Sequence, residues 1–270
     1  MRFILAACLL TLCVGCYENR SGCLDPNASN YDLQADEGCD GCCTYPTLSV
    51  RVSSVWEDSV IVAGQTYQDV DGNPFQIVRF RYYLGELRLE SPIADLADPF
   101  RPLELQELVA QDTTPVTLNG NYLLVTTATA TTTLGVIAGS DTPVDALTGT
   151  YGLPDRYRNV IPASSPNGDA LRTQPGRLNY RDGRGYVQAR LEYTLEAGGD
   201  TLSASSYGSV PFVAPFGEEI RPRQGANIRL DIEARLANLL GQIAISSDTE
   251  AVAEQLSRGS NFLYATGFAQ

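Results

Sequence analysis

The sequence predicts an all-β fold: an antiparallel β-sandwich or Greek-key barrel with long loops and one short C-terminal helix. Three observations predict it. Apolar and polar residues alternate along four separated runs, the period of a half-buried strand. Gly, Asn, Asp and Pro clusters punctuate those runs. Helical spacing with a cap signal occurs near the C-terminus, at residues 247–259.

The chain opens with Met1-Arg2, an apolar run from Phe3 to Val14, then Gly15-Cys16. The run is too short for a bilayer-spanning helix and suits a signal-peptide core. A small residue directly before a cysteine resembles the bacterial lipobox. The resemblance implies a signal peptide over 1–15, cleavage before Cys16 and acylation of its thiol. The expected location is the cell envelope, as an outer-membrane lipoprotein held by its acyl chains in membrane lipid. Tyr17-Glu18-Asn19-Arg20 carries no acidic run of the kind that resembles a surface-export tag, which favours the periplasmic side.

Residues 16–46 read as the anchor and a small crosslinked segment, followed by a β domain over 47–270. Cys23, Cys39, Cys42 and Cys43 crowd into a stretch with few large apolar residues, which reads as two disulfides. Joining adjacent Cys42 and Cys43 would strain the bond, so Cys23 is expected to pair with one of them and Cys39 with the other. A four-thiolate metal site is the alternative. The run Gly22-Cys23-Leu24-Asp25-Pro26-Asn27-Ala28-Ser29-Asn30-Tyr31 resembles a segment, G-C-x-D-P-x-A-x-N-Y, common in exported proteins of Bacteroidota. Its oxygen side chains (Asp25, Asn27, Asn30, Asp32, Asp36, Asp40) make calcium a candidate ligand; turn capping is the plainer reading.

Strand signals begin at Leu48, where Leu48, Val50 and Val52 alternate with Ser49, Arg51 and Ser53. They recur at 78–84, 187–195 and 228–236. Asp69-Val70-Asp71-Gly72-Asn73 has calcium-loop spacing but is expected to form a hairpin turn. Thr126 to Thr133 (TTATATTT) reads as one strand with a polar face. Residues 142–177 and 199–226 read as long loops. Ser247-Asp248-Thr249-Glu250 resembles a capping box; Val252 and Leu256 share the helix face, and Gly259 ends it.

Composition excludes whole classes of chemistry. The net charge is −13, and every basic residue is arginine. An acidic chain is a poor partner for nucleic acid. No histidine occurs, and Met1 is the only methionine. Ser–His–Asp and Cys–His catalysis therefore cannot be built, nor a His-ligated zinc or copper site. Carboxylates remain, with Asp155, Asp169 and Asp182 in loop contexts, but no motif pairs two of them for glycan hydrolysis.

Three segments together resemble the MbnP-like family of exported β proteins. They are Asp71-Gly72-Asn73-Pro74-Phe75 with the strand through Leu89, then Leu134-Gly135-Val136-Ile137 to Asp141, then Gly185-Tyr186-Val187 to Glu192. The resemblance covers roughly residues 47–245 and implies a β domain. In the family's named member it implies copper bound with histidine and a modified tryptophan. Here Ser54 and Tyr180 stand near those positions, Gly85 replaces the usual serine, and the single tryptophan, Trp56, is expected to pack at a strand end. The copper site does not carry over.

The resulting expectation is a non-catalytic, lipid-anchored binding or accessory protein of the envelope, with a protein partner and no cofactor or metal. Tyr151, Arg156, Tyr157, Arg158, Tyr180 and Arg181 are the candidate partner surface, with Arg184, Tyr186 and Tyr207 nearby, because Tyr and Arg often anchor interfaces. Divalent-metal handling, by copper or calcium, is one alternative. Carboxylate-dependent glycan binding or hydrolysis is another.

Overall fold

A computed structural model describes residues 18–137, 142–175, 179–259 and 261–270; Cys16 and the signal segment lie outside them. The principal strands are β1 (Thr47–Trp56), β2 (Pro74–Glu90), β3 (Pro102–Val109), β4 (Asp112–Asn119), β5 (Leu123–Thr126) and β6 (Ala130–Val136). They continue with β7 (Val144–Tyr151), β8 (Ala189–Thr194), β9 (Leu202–Ser206), β10 (Val210–Ile220), β11 (Ile228–Arg235) and β12 (Leu263–Ala269). One α-helix, α1 (Thr249–Leu256), lies between the last two. The smaller sheet runs β6-β1-β11-β12. The larger runs β9-β8-β2-β7-β10, with β5 and the short strand Thr66–Gln68 also paired to β2. The fold is an all-β sandwich, and neither sheet closes into a barrel.

Period-two patterning builds this sandwich. Leu48, Val50 and Val52 of β1 and Ile228, Leu230 and Ile232 of β11 face inward. They meet Phe80, Tyr82 and Leu84 of β2 and Leu191 and Tyr193 of β8, all buried. Burial of each such side chain contributes about 1.5–3 kcal/mol. Ser49, Arg51, Arg229, Asp231 and Glu233 occupy the other phase and stay outside the core. Trp56, at the end of β1, packs on Tyr67 (4.5 Å between ring centres) and Phe75 (5.8 Å).

One main-sheet pairing departs from the antiparallel expectation. β1 and β11 run parallel, Leu48 beside Ile228 through Val55 beside Arg235. Alternation specifies which face a residue takes but not the direction of its neighbouring strand.

Several local expectations need correction. The supposed loops 142–177 and 199–226 contain β7, β9 and β10. β7 lies between β2 and β10 and buries residues of both phases, so it shows no alternation. β10 carries Pro211 and Pro215, which read as breakers; it is an edge strand, where proline is tolerated. The threonine run is two strands: β5 ends at Thr126 and β6 begins at Ala130, with Thr126 Oγ1 accepting from Ala128 N in the turn between. The helix cap is Asp248 and not Ser247, its Oδ1 accepting from Glu250 N (3.2 Å) and Ala251 N (3.1 Å).

A second apolar layer covers part of the larger sheet's outer face. The β3–β4 hairpin and the segment from Leu153 to Leu171 bury Leu103, Leu105, Tyr122, Leu153, Tyr157, Val160 and Leu171 against Tyr83 and Tyr186. The larger sheet is thus the middle of three layers over part of its area.

In the Cys-rich segment, Cys23 is bonded to Cys43 (Cα–Cα 5.0 Å) and Cys39 to Cys42 (5.7 Å). Its oxygen side chains take up local donors. Asp25 accepts from Asn27 N and Tyr45 OH, Asn30 from Thr44 N, Asp32 from Gln34 N and Arg20, and Asp36 from Arg20 N. Gln224 Nε2 donates to Asn27 Oδ1, and Thr47 N donates to Asn227 Oδ1, which joins the segment to the chain just before β11. Asp69-Val70-Asp71-Gly72-Asn73 is a hairpin turn between Thr66–Gln68 and β2.

Candidate functional site

Beyond the covering layer the larger sheet's outer face is rich in arginine, with Arg79 exposed, Arg190 half-buried and Arg81 buried. Inward Phe80 and Tyr82 put Arg79, Arg81 and Tyr83 on that face. Inward Leu191 puts Arg190 and Glu192 beside them. Three rungs follow by register: Arg79 with Glu192, Arg81 with Arg190, then Tyr83 under the covering layer. Beyond the third rung the chain brings Arg184 and Arg158 to the edge of the covering layer.

Arg184 is the hub. It borders three adjoining depressions, of about 150, 170 and 570 Å³. Arg158 lines the two smaller ones and Tyr207 the two larger ones of the three. The Arg184 guanidinium lies 4.2 Å from the centre of the Tyr207 ring, a cation–π arrangement that holds both side chains. Among the described residues, neither Arg158 nor Arg184 forms an ion pair with a carboxylate. Asp155 lines the 170 Å³ depression, and Glu250 and Glu254 the 570 Å³ one, so the surface is mixed in charge with unpaired guanidiniums at its centre.

The loop that presents Arg158 is held by buried tyrosines. Tyr83 OH donates to Ala170 O (2.7 Å) and accepts from Asn179 Nδ2 (3.0 Å). Tyr186 OH donates to Leu171 O (3.1 Å), and Tyr157 OH donates to Asn119 O. Tyr122 OH donates to Asp169 Oδ1 (2.8 Å), whose other oxygen meets Arg101 (3.2 Å). Burial, then the Asp169 charge, pushes the Tyr122 phenol up from its ordinary value; burial does the same to Tyr83 and Tyr186. All three remain protonated donors at neutral pH.

These contacts correct the expected partner surface. Tyr151, Tyr157 and Tyr186 are buried. Tyr151 packs on Tyr82 (5.6 Å) and Phe262 (5.3 Å) in the main core, because β7 is a core strand. Tyr180 is half-buried, edge-on to Tyr186 at 5.2 Å. Arg156 is ion-paired to Glu86 and lies over the Tyr157 ring. Arg181 is half-buried and donates to Tyr180 O. Arg158, Arg184, Tyr207 and one side of Tyr180 are brought together; Tyr151 and Tyr157 are not among them. The reading from sequence missed Arg79, Arg81 and Arg190. The signal was present as arginines repeated in the polar phase of two strands.

The carboxylates Asp155, Asp169 and Asp182 have separate settings. Asp169 is committed to Tyr122, Arg101 and Leu171 N. Asp155 starts a short 3₁₀ turn, and Asp182 sits in the turn between Tyr180–Arg181 and Gly185–Tyr186. Among the described residues no cluster of three or more Cys, Asp or Glu is placed to hold a metal ion. The copper ligand set does not fit either. Ser54 Oγ donates to Thr126 O, and the chain has no imidazole to accompany Trp56.

Among the described residues, no helix is long and apolar enough to cross a membrane. No family model and no curated protein matches the chain. Among solved structures, MbnP from Methylosinus trichosporium is similar, at 13% identity over 73% of this chain and 78% of that one, with a TM-score of 0.38.

Proposed function

We propose that this chain is a non-catalytic, lipid-anchored binding or accessory protein of the cell envelope. It engages a protein partner through the surface centred on Arg158, Arg184 and Tyr207. One observation carries the reading. On a chain of net charge −13, two arginines without carboxylate partners among the described residues share adjoining depressions with an aromatic ring. Arginine and tyrosine in such settings are the residues that dominate interface energies, at about 2 kcal/mol or more each at hot spots. The favoured partner therefore presents acidic groups. The lack of histidine supports contact over turnover, since the common general base and nucleophile activator is absent. The Cys16 anchor, read from the lipobox resemblance, would hold the domain at a membrane surface.

The test is a pull-down from envelope extract with the acylated protein, its Arg158→Gln/Arg184→Gln variant, and Arg51→Gln on the opposite sheet as control. Proteins retained by wild type and control but lost from the double variant are the expected result. The same retained set for all three would overturn the proposal.

A further inference from the structure

A discrete charge imbalance lies one rung along the same face. Arg79, Arg81 and Arg190 adjoin on β2 and β8, with Glu192 as the carboxylate among them. Glu192 is already engaged, 3.0 Å from Arg190 and 3.6 Å from Arg79. Arg81 is left over. It is 9% exposed, its Nη2 is buried, and that nitrogen meets no acceptor among the described residues. Arg81 also stands directly across from Arg190, and like charges at that position repel. A guanidinium does not lose its proton, so the charge has to be compensated. Burial first, then the neighbouring Arg79 charge, lowers the Arg81 pKa, while Tyr83 and Glu192 act in the opposite direction.

The surroundings supply one further hydrogen-bond group. Register places Ser205 of β9 beside Arg190; Thr126 of β5, beside Arg81, is already engaged with Ala128, donating to its O and accepting from its N. Two fork-shaped donors with one hydroxyl beside them match an oxyanion, which accepts several N–H and O–H bonds at once. We infer that the Arg81–Arg190 rung is an oxyanion-binding site, holding a carboxylate, sulfate or phosphate group between the two guanidiniums. Arg79 closes the exposed side and supplies steering. The rung lies on β2 and β8, and Ser205 at its edge also lines the largest of the depressions beside Arg184.

The test uses the full chain and three probes, inorganic sulfate, inorganic phosphate and acetate, each against sodium chloride at matched ionic strength. Sulfate and phosphate stabilise most proteins without a site, so saturation and its loss on mutation are the readout. The expected result is a saturating rise in melting temperature and a calorimetric binding isotherm for at least one probe. Arg81→Met and Arg190→Gln should each weaken that binding at least tenfold, while Arg51→Gln on the opposite sheet leaves it unchanged. Should Arg81→Met fold poorly, Arg190→Gln alone decides. Saturation by acetate assigns a carboxylate; saturation by sulfate or phosphate alone assigns a tetrahedral anion. A linear rise with no saturation, or saturation unchanged in both single variants, overturns the inference.

Discussion

Asp69 carries a turn that the rest of the sandwich leans on. Its Oδ1 accepts from Asp71 N (2.9 Å) and Asn73 N (2.7 Å), and its Oδ2 accepts from Ile245 N (2.9 Å), tying the hairpin before β2 to the segment before α1. Burial acts to raise its pKa, but the amides of Ile245, Asn73 and Asp71 outweigh it and lower the value below the ordinary carboxylate range. A carboxylate depressed by folding adds stability above its unfolded pKa, and that contribution fades as pH falls toward the folded one. Asp69→Asn should therefore cost about 1–3 kcal/mol at pH 7. The gap to wild type should narrow below about pH 4, read by thermal melts across pH 2–7. A gap independent of pH would contradict this. At the β3–β4 tip, Ala110 and Gln111 hold positive φ of 48° and 75°, where Asn-Gly is favoured. Ala110→Asn/Gln111→Gly should raise stability by about 1 kcal/mol, some 2–4 °C in melting temperature.

Individual elements were legible where packing is one-sided. β1, β8 and β11 show clean alternation because one face meets core and the other does not. β7 was missed because a strand with neighbours on both edges and cover on its faces loses its period. The tyrosines were misassigned for a related reason. A tyrosine in a polar, glycine-rich loop reads as exposed, yet Tyr157 aims its hydroxyl at Asn119 O at the end of β4 and Tyr186 at Leu171 O, and both fill the second apolar layer over Tyr83 of β2. That layer is non-local: Tyr83 and Ala170 are far apart in sequence, and no short pattern encodes their meeting. Tyr83→Phe removes one bond each from Ala170 O and Asn179 Nδ2, which keep each other and Arg172 O as partners, so it should cost about 1 kcal/mol. Amide exchange should accelerate over 168–187 while the β1 and β11 amides keep their protection. Uniform acceleration across both sheets would mean the loop is not a separate stability unit.

For the whole molecule, the distribution of charge matters more than its sum. The chain is acidic, yet Arg79, Arg81 and Arg190 share one sheet face, and Arg184 and Arg158 share a depression. Composition alone gave the acidic balance and the absence of imidazole; only the register of β2 and β8 brings the arginines together. Such a face attracts acidic groups through long-range steering, which salt screens. Raising sodium chloride from 50 to 300 mM should slow association with the proposed partner by roughly tenfold and alter dissociation much less. The most direct measurement is the affinity of wild type and Arg158→Gln/Arg184→Gln for the partner recovered from envelope extract, by surface interferometry at fixed salt. A drop of tenfold or more, with the melting temperature unchanged, is the predicted result. Equal affinity in a folded double variant would contradict the central claim that this face does the binding.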